Sequence, residues 1–228
     1  MLNIVKNTTL PSFFDLIAPH SCRGCGRLGN VLCDRCKKYI TANHIDFCPF
    51  CKNSLNQCKC QKRQKIPPVF IVDRRESIVG TLIQDLKYHS VRAVAPILAE
   101  LLDSTLPSFK NPVILVPLPT INQHIRKRGL DHTYLIAKHL AKLRGKKYQV
   151  SHLLLRAKNT VQVGSNRSER LKQAKNAYKL NPKIPIKSNT TYLLLDDIWT
   201  TGASIKSAIE KLRQGGVQNL AIIVLALS

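Results

Sequence analysis

The sequence predicts an α/β protein whose sheet is mainly parallel and flanked by helices, preceded by a small cysteine-rich module. Two observations predict it. From residue 69 onward, short apolar runs alternate with stretches of helical periodicity, the order from which parallel sheets are built. All eight cysteines lie between Cys22 and Cys60, so residues 1–62 are expected to form one module and residues 69–228 another.

The cysteines come as Cys22-x2-Cys25, Cys33-x2-Cys36, Cys48-x2-Cys51 and the tighter Cys58-x-Cys60. A C-x2-C turn aims two thiolates at one tetrahedral ion while backbone amides donate to the sulfurs. Eight thiolates suffice for two structural Zn2+ sites. Consecutive assignment gives Cys22, Cys25, Cys33 and Cys36, then Cys48, Cys51, Cys58 and Cys60; an interleaved, cross-braced assignment pairs alternate knuckles instead. A disulfide framework would need an oxidising compartment, for which there is no signal. The segment is short and polar with little apolar surface of its own, so metal is expected to fold it. Residues 61–68, QKRQKIPP, are basic and close on two prolines, the mark of a linker.

Residues 69–72 are a short β-branched run, expected at a sheet edge. Residues 77–106 carry apolar side chains at helical spacing and read as two helices with a break at 88–90. The continuous apolar run 113–116 suits a strand buried on both faces. A basic loop is expected over 123–129, a helix over 131–144 and a strand over 149–155. Residues 159–175 are polar, basic and rich in small residues, as a mobile loop would be. A strand over 192–198, a helix over 203–214 ending at Gly215-Gly216, and a last strand over 219–227 complete the alternation.

Charge is the outlying bulk property: 36 Lys+Arg against 13 Asp+Glu give +23 and a pI near 10.0. That imbalance exceeds what solubility requires and points to phosphate-bearing partners: nucleic acid, nucleotide or an acidic lipid surface. No apolar run approaches the roughly 18 residues of a membrane span. Pro11 and Asp15 interrupt the apolar start, and no small-residue cleavage site follows, so residues 1–19 make a poor signal peptide. The expected compartment is cytoplasmic.

Residues 193–204, LLLDDIWTTGAS, carry the sharpest signal. An apolar strand delivers two carboxylates at its C-terminal end, where open α/β sheets bind ligands. A turn bearing Thr200, Thr201, Gly202, Ala203 and Ser204 then opens a helix whose first amides favour phosphate. Gly202 permits close backbone approach. Asp196 and Asp197 are suited to accept hydrogen bonds from vicinal ribose hydroxyls, one of them facing a Mg2+ shell. The expected ligand is phosphoribosyl pyrophosphate or a related nucleotide.

These features together resemble the ComF/GntX family, competence-protein-F-like members of the type I phosphoribosyltransferase superfamily. The resemblance covers nearly the whole chain. The cysteine-rich start resembles the family's zinc ribbon, and Leu86-Lys87-Tyr88 its LKY element. Val116-Pro117-Leu118-Pro119 with Arg126-Lys127-Arg128-Gly129 resembles its VPVPL…R-x-RGFNQ block, and Gln162, Arg167, Arg170 and Asn176 its Q…R…N segment. By this resemblance the fold is type I phosphoribosyltransferase-like. Arg126 and Arg128 would line the pyrophosphate side, and Arg167 and Arg170 would ride a flap that closes over the site. Asp196, Asp197 and Arg128 would carry any chemistry.

The resemblance also implies a role in DNA uptake and in processing single-stranded DNA during natural transformation. DNA-uptake, helicase or recombination proteins would be its partners. Turnover stays open, because no base-recognition pocket for an acceptor is legible. Four positions depart from the family pattern. Asp131-His132 stands for Asn-Gln, Trp199 is bulky for its place, and Tyr178 replaces phenylalanine. Trp199 is expected either to stack on a base or to pack on the sheet. His89, His124 and His132 have no metal-site spacing and read as surface or loop residues.

Overall fold

Continuous apolar runs need both faces covered, and the sheet meets that requirement. In the computed structural model, which describes residues 20–42, 48–51, 53–54, 57–60, 66–157 and 177–228, β3 (Val69–Arg74), β4 (Val113–Pro117), β5 (Tyr148–Val150), β8 (Thr191–Trp199) and β9 (Asn219–Leu227) form one sheet. Its order is β3-β9-β8-β4-β5, and every pair is parallel. The Val69 run is therefore an edge strand, as its length suggested.

Side chains alternate between two cores. Leu115, Leu193, Leu195, Ile223 and Leu225 face α2 (Ile78–Tyr88), α3 (Val94–Thr105) and α5 (His132–Arg144). Val116, Tyr192, Leu194, Ile222 and Val224 face α6 (Ala203–Gln214). Each such buried aliphatic side chain contributes roughly 1.5–3 kcal/mol. Ser77 caps α2 by accepting from the Val79 amide at 3.1 Å. Asp131 caps α5, accepting from the Tyr134 amide at 3.2 Å and from Thr120 Oγ1 at 3.3 Å. Asp131, one of the departures from the family pattern, thus serves as the N-cap of α5.

The strand order places a topological switch between β4 and β8. The chain leaves β4 toward one edge and leaves β8 toward the other, which opens a crevice at their C-terminal ends. Pro117 pairs with Leu195 there, and the Leu118 amide donates to the Leu195 carbonyl at 2.8 Å.

Two expectations need correction. The basic stretch read as a loop holds a short helix, α4 (Asn122–Arg128), closed by Gly129 at φ +69. Residues 149–155 are not one strand. β5 ends at Val150, and β6 (Leu154–Arg156) forms a separate antiparallel hairpin with β7 (Tyr178–Leu180). The expected mobile loop 159–175 lies outside the described residues.

The cysteine module contributes β1 (His20–Ser21), β2 (Leu28–Gly29) and α1 (Asp34–Ala42). It has more apolar surface than its composition suggested. Val31, Leu32 and Ile40 are buried in the same core as α2 and α3. Arg23 pairs with the buried Asp85 of α2 at 2.5 Å, and Lys37 pairs with Glu100 of α3. No helix among the described residues is long and apolar enough to cross a membrane.

Candidate functional site

The crevice is a cavity of about 280 Å3. Asp196 and Asp197 line it from the end of β8, Pro119 and Thr120 from the turn after β4, and Ser204 from the start of α6. Three cations surround it: Lys87 from α2, Arg128 from α4 and Arg156 from β6. His132 and Tyr178 complete the wall.

Asp197 is buried and already engaged. His132 Nε2 lies 2.6 Å from its Oδ2, and the Lys87 ammonium pairs with the same oxygen. Arg128 stands 3.5 Å from the other ring nitrogen of His132. A guanidinium only donates, so Nδ1 accepts and Nε2 carries the hydrogen given to Asp197. Burial pushes the Asp197 carboxyl up, but the His132 bond and the Lys87 charge outweigh it and leave it below the usual range. Asp196 goes the other way. Burial and then the Asp197 charge raise it well above an ordinary aspartate, although its Oδ1 accepts from the Asp197 amide at 2.9 Å. A cavity whose acidic edge is half-compensated and whose rim is cationic suits a ligand with both hydroxyl donors and anionic oxygens.

His132 was expected at the surface and is only 5% exposed. As the first residue of α5, just after the Asp131 cap, it turns inward toward β8. His89 is largely exposed and bonds Asp85 at 3.0 Å; the His124 side chain lies outside the described residues. Tyr178 is not an idle replacement for phenylalanine. Its buried hydroxyl meets Arg156 Nη1 at 3.3 Å.

In the 200–204 turn, Thr200 and Thr201 are exposed and Ala203 is half-buried. Thr201 Oγ1 accepts from the Ala203 amide at 3.4 Å. Gly202 has φ +72, and a Cβ there would stand 2.8 Å from Trp199 Nε1. Glycine is thus required by the indole beneath it as well as by the turn. Trp199 is 2% exposed and packs on the sheet, which settles its role against base stacking.

Among the expected cations, Arg128 lines the cavity, Arg126 is exposed on α4 and is not among its lining residues, and Arg167 and Arg170 lie outside the described residues. Sequence reasoning missed Arg156 and His132. The signal for His132 is its place directly after Asp131, a residue type that caps helices, which sets it in the first turn of α5.

The cysteines group consecutively. The ligand atoms of Cys22, Cys25, Cys33 and Cys36 lie within 4.8 Å of one another, as do those of Cys48, Cys51, Cys58 and Cys60. Cys25 and Cys33 sulfurs are 3.7 Å apart, and Cys51 and Cys58 sulfurs 3.8 Å. Two sulfurs on a tetrahedral ion with bonds of ~2.3 Å stand at about that distance, far beyond a disulfide. Gly24 and Cys33 amides each donate to Cys22 Sγ at 3.4 Å. With the Cys25 amide they outweigh burial and bring the Cys22 thiol down to about 6. Burial and the neighbouring thiols push Cys36 up to about 12, and in the second cluster Cys51 and burial do the same to Cys60. Four thiols this close do not all ionise without a cation, so either cluster could hold zinc.

The profile of the uracil phosphoribosyltransferase family matches residues 145–227. Competence protein F of Haemophilus influenzae is 25% identical over 229 residues, an alignment covering 94% of this chain and 98% of that one. The chain is similar to Competence protein F over nearly the whole length of both. The chain also superposes on a hypoxanthine phosphoribosyltransferase of Staphylococcus aureus with TM-score 0.36 and 15% identity, covering 66% of this chain and 63% of that one. Leishmania donovani UMP synthase gives TM-score 0.34 and 17% identity, covering 64% and 24%. This chain thus spans less than two thirds of either solved structure.

Proposed function

We propose that the chain binds phosphoribosyl pyrophosphate, or a related ribose-5-phosphate ligand, with Mg2+ in the β4–β8 crevice. The observation that carries this reading is the meeting of Asp196 and Asp197 with Ser204 and three cations around one cavity. Asp196 and Asp197 take the ribose hydroxyls. The amides and hydroxyls of Thr200, Thr201, Gly202, Ala203 and Ser204 take the 5′-phosphate at the start of α6. Arg128 faces the pyrophosphate, with Arg126, Arg167 and Arg170 as flanking cations. Asp196, raised by burial and by its neighbour's charge, is the carboxylate that a cation would relieve, and it would hold Mg2+ together with ligand oxygens. When bound, Mg2+ neutralises charge on the pyrophosphate. The two cysteine clusters hold structural zinc. The direct test is a thermal shift: ligand with Mg2+ raises the unfolding midpoint, and an unmoved midpoint counts against the reading.

The cellular role we assign is uptake and processing of single-stranded DNA in natural transformation, in the cytoplasm and alongside DNA-uptake, helicase or recombination proteins. The formal charge of +23 and the likeness to Competence protein F support it. Phosphate contacts make such binding steeply salt-dependent. Affinity for a single-stranded oligonucleotide that stays flat with salt would sink the DNA role.

A second reading, an active phosphoribosyltransferase with an unassigned acceptor, draws on the uracil phosphoribosyltransferase match over residues 145–227. Pyrophosphate release in the presence of a panel of bases separates the two. Binding without release leaves a ligand sensor.

A further inference from the structure

Phe50 lies between Cys48 and Cys51 of the second cysteine cluster. Its ring meets Trp199 edge-on, with centroids 4.8 Å apart and planes at 85°. Trp199 is the last residue of β8, immediately before the 200–204 turn. Its backbone is tied down, its carbonyl accepting from the Ser228 amide at 2.9 Å. Gly202 lies against the indole so closely that even a methyl group would stand 2.8 Å from Nε1. From beyond the turn, the Lys206 ammonium of α6 sits 5.9 Å over the Phe50 ring. Phe50 thus contacts the residues that enter and leave the phosphate turn, and Trp199 is the floor between them.

The two cysteine clusters differ in this respect. The first packs into the core shared with α2 and α3. Phe50 of the second packs against the opposite core, which contains Trp199 and Ile205. One peptide bond separates Phe50 from Cys51, so the geometry of the cluster fixes where the ring stands.

We propose that Phe50 is a positioning residue for the 200–204 turn, acting through Trp199 and held in place by the Cys48–Cys51–Cys58–Cys60 cluster. Metal occupancy of that cluster therefore sets how fully the turn is formed. The functional meaning rests on the ribose-phosphate reading of the turn; the mechanical coupling does not.

The test uses the full chain. Trp199 is the sole tryptophan, so its emission reports this contact directly. Phe50→Ala, Phe50→Tyr and the pair Cys58→Ser with Cys60→Ser are compared by emission, by amide exchange of residues 200–204, and by calorimetric titration of phosphoribosyl pyrophosphate with Mg2+. Phe50→Ala shifts emission to the red, speeds exchange in the turn and weakens the ligand about threefold to tenfold, the range for loss of an edge-on aromatic pair. Phe50→Tyr restores all three. The cysteine pair reproduces Phe50→Ala, and combining them adds nothing further. Should Phe50→Ala fail to fold, Phe50→Leu carries the same comparison. Unchanged emission and exchange on altering Phe50, or fully additive effects with the cysteine pair, overturn the proposal. If the wild type binds no ligand, the ribose-phosphate reading falls, while emission and exchange still decide the coupling.

Discussion

His132 Nε2 and Asp197 Oδ2 stand 2.6 Å apart in the buried wall of the crevice. The pair joins α5 to the end of β8, and Lys87 brings α2 to the same oxygen. Asp197 therefore has one carboxylate oxygen already committed. Replacing His132 with Ala leaves that buried acceptor short of a donor, a loss of roughly 1–3 kcal/mol. Urea unfolding should show it as a lower midpoint with an unchanged slope. His132→Asn, whose amide can still donate, should recover part of the loss. An unaltered midpoint in His132→Ala would mean that Lys87 alone holds Asp197.

The two aspartates should respond to pH and to neutralisation with opposite signs. Asp197 is lowered in the folded state by His132 and Lys87 despite its burial. Its stabilisation is present above the unfolded carboxylate range and is lost as pH falls toward its depressed folded value. Asp196 is raised by burial and by Asp197. Its favourable contribution exists below the unfolded carboxylate range and is lost as pH rises through the raised folded value. Without Mg2+ or ligand at neutral pH, Asp196→Asn should therefore raise the melting temperature and Asp197→Asn should lower it. Shifts of the same sign would contradict this electrostatic assignment.

Gly202→Ala places a methyl group against the Trp199 indole at φ +72. A left-handed alanine costs about 1–2 kcal/mol before any clash. The variant should melt lower and shift the Trp199 emission. Native melting and emission would show that the turn yields at no cost.

Metal removal should not free a separately melting module. Cys22, Val31, Leu32 and Ile40 share one core with α2 and α3, and Arg23 and Lys37 tie the module to both helices. Chelation should lower one cooperative calorimetric transition. Two resolved transitions would instead support the division at residues 62 and 69.

Much of this was legible in the sequence because apolar runs and glycine stops carry their own meaning. β9 and α6 fall where periodicity and Gly215 place them. C-x2-C spacing marked the cysteines as ligand pairs but left consecutive and interleaved clusters both open; the consecutive grouping came from the structure. What stayed hidden depends on distant partners. α4 has the sequence NQHIRKR, with only Ile125 apolar, so no periodicity betrays it. Ser151 leaves the sheet after bonding the Leu115 carbonyl, splitting an apolar run into two strands. His132 meets Asp197 across 65 positions, and Val31 and Ile40 look isolated until α2 and α3 cover them.

Calorimetric titration of phosphoribosyl pyrophosphate with Mg2+, on the wild type and on Asp196→Asn/Asp197→Asn, tests the central claim most directly. The account predicts saturable binding by the wild type and its loss in the double variant, with the variant's fold confirmed by circular dichroism. Equal binding by the folded double variant would contradict the ribose-clamp assignment.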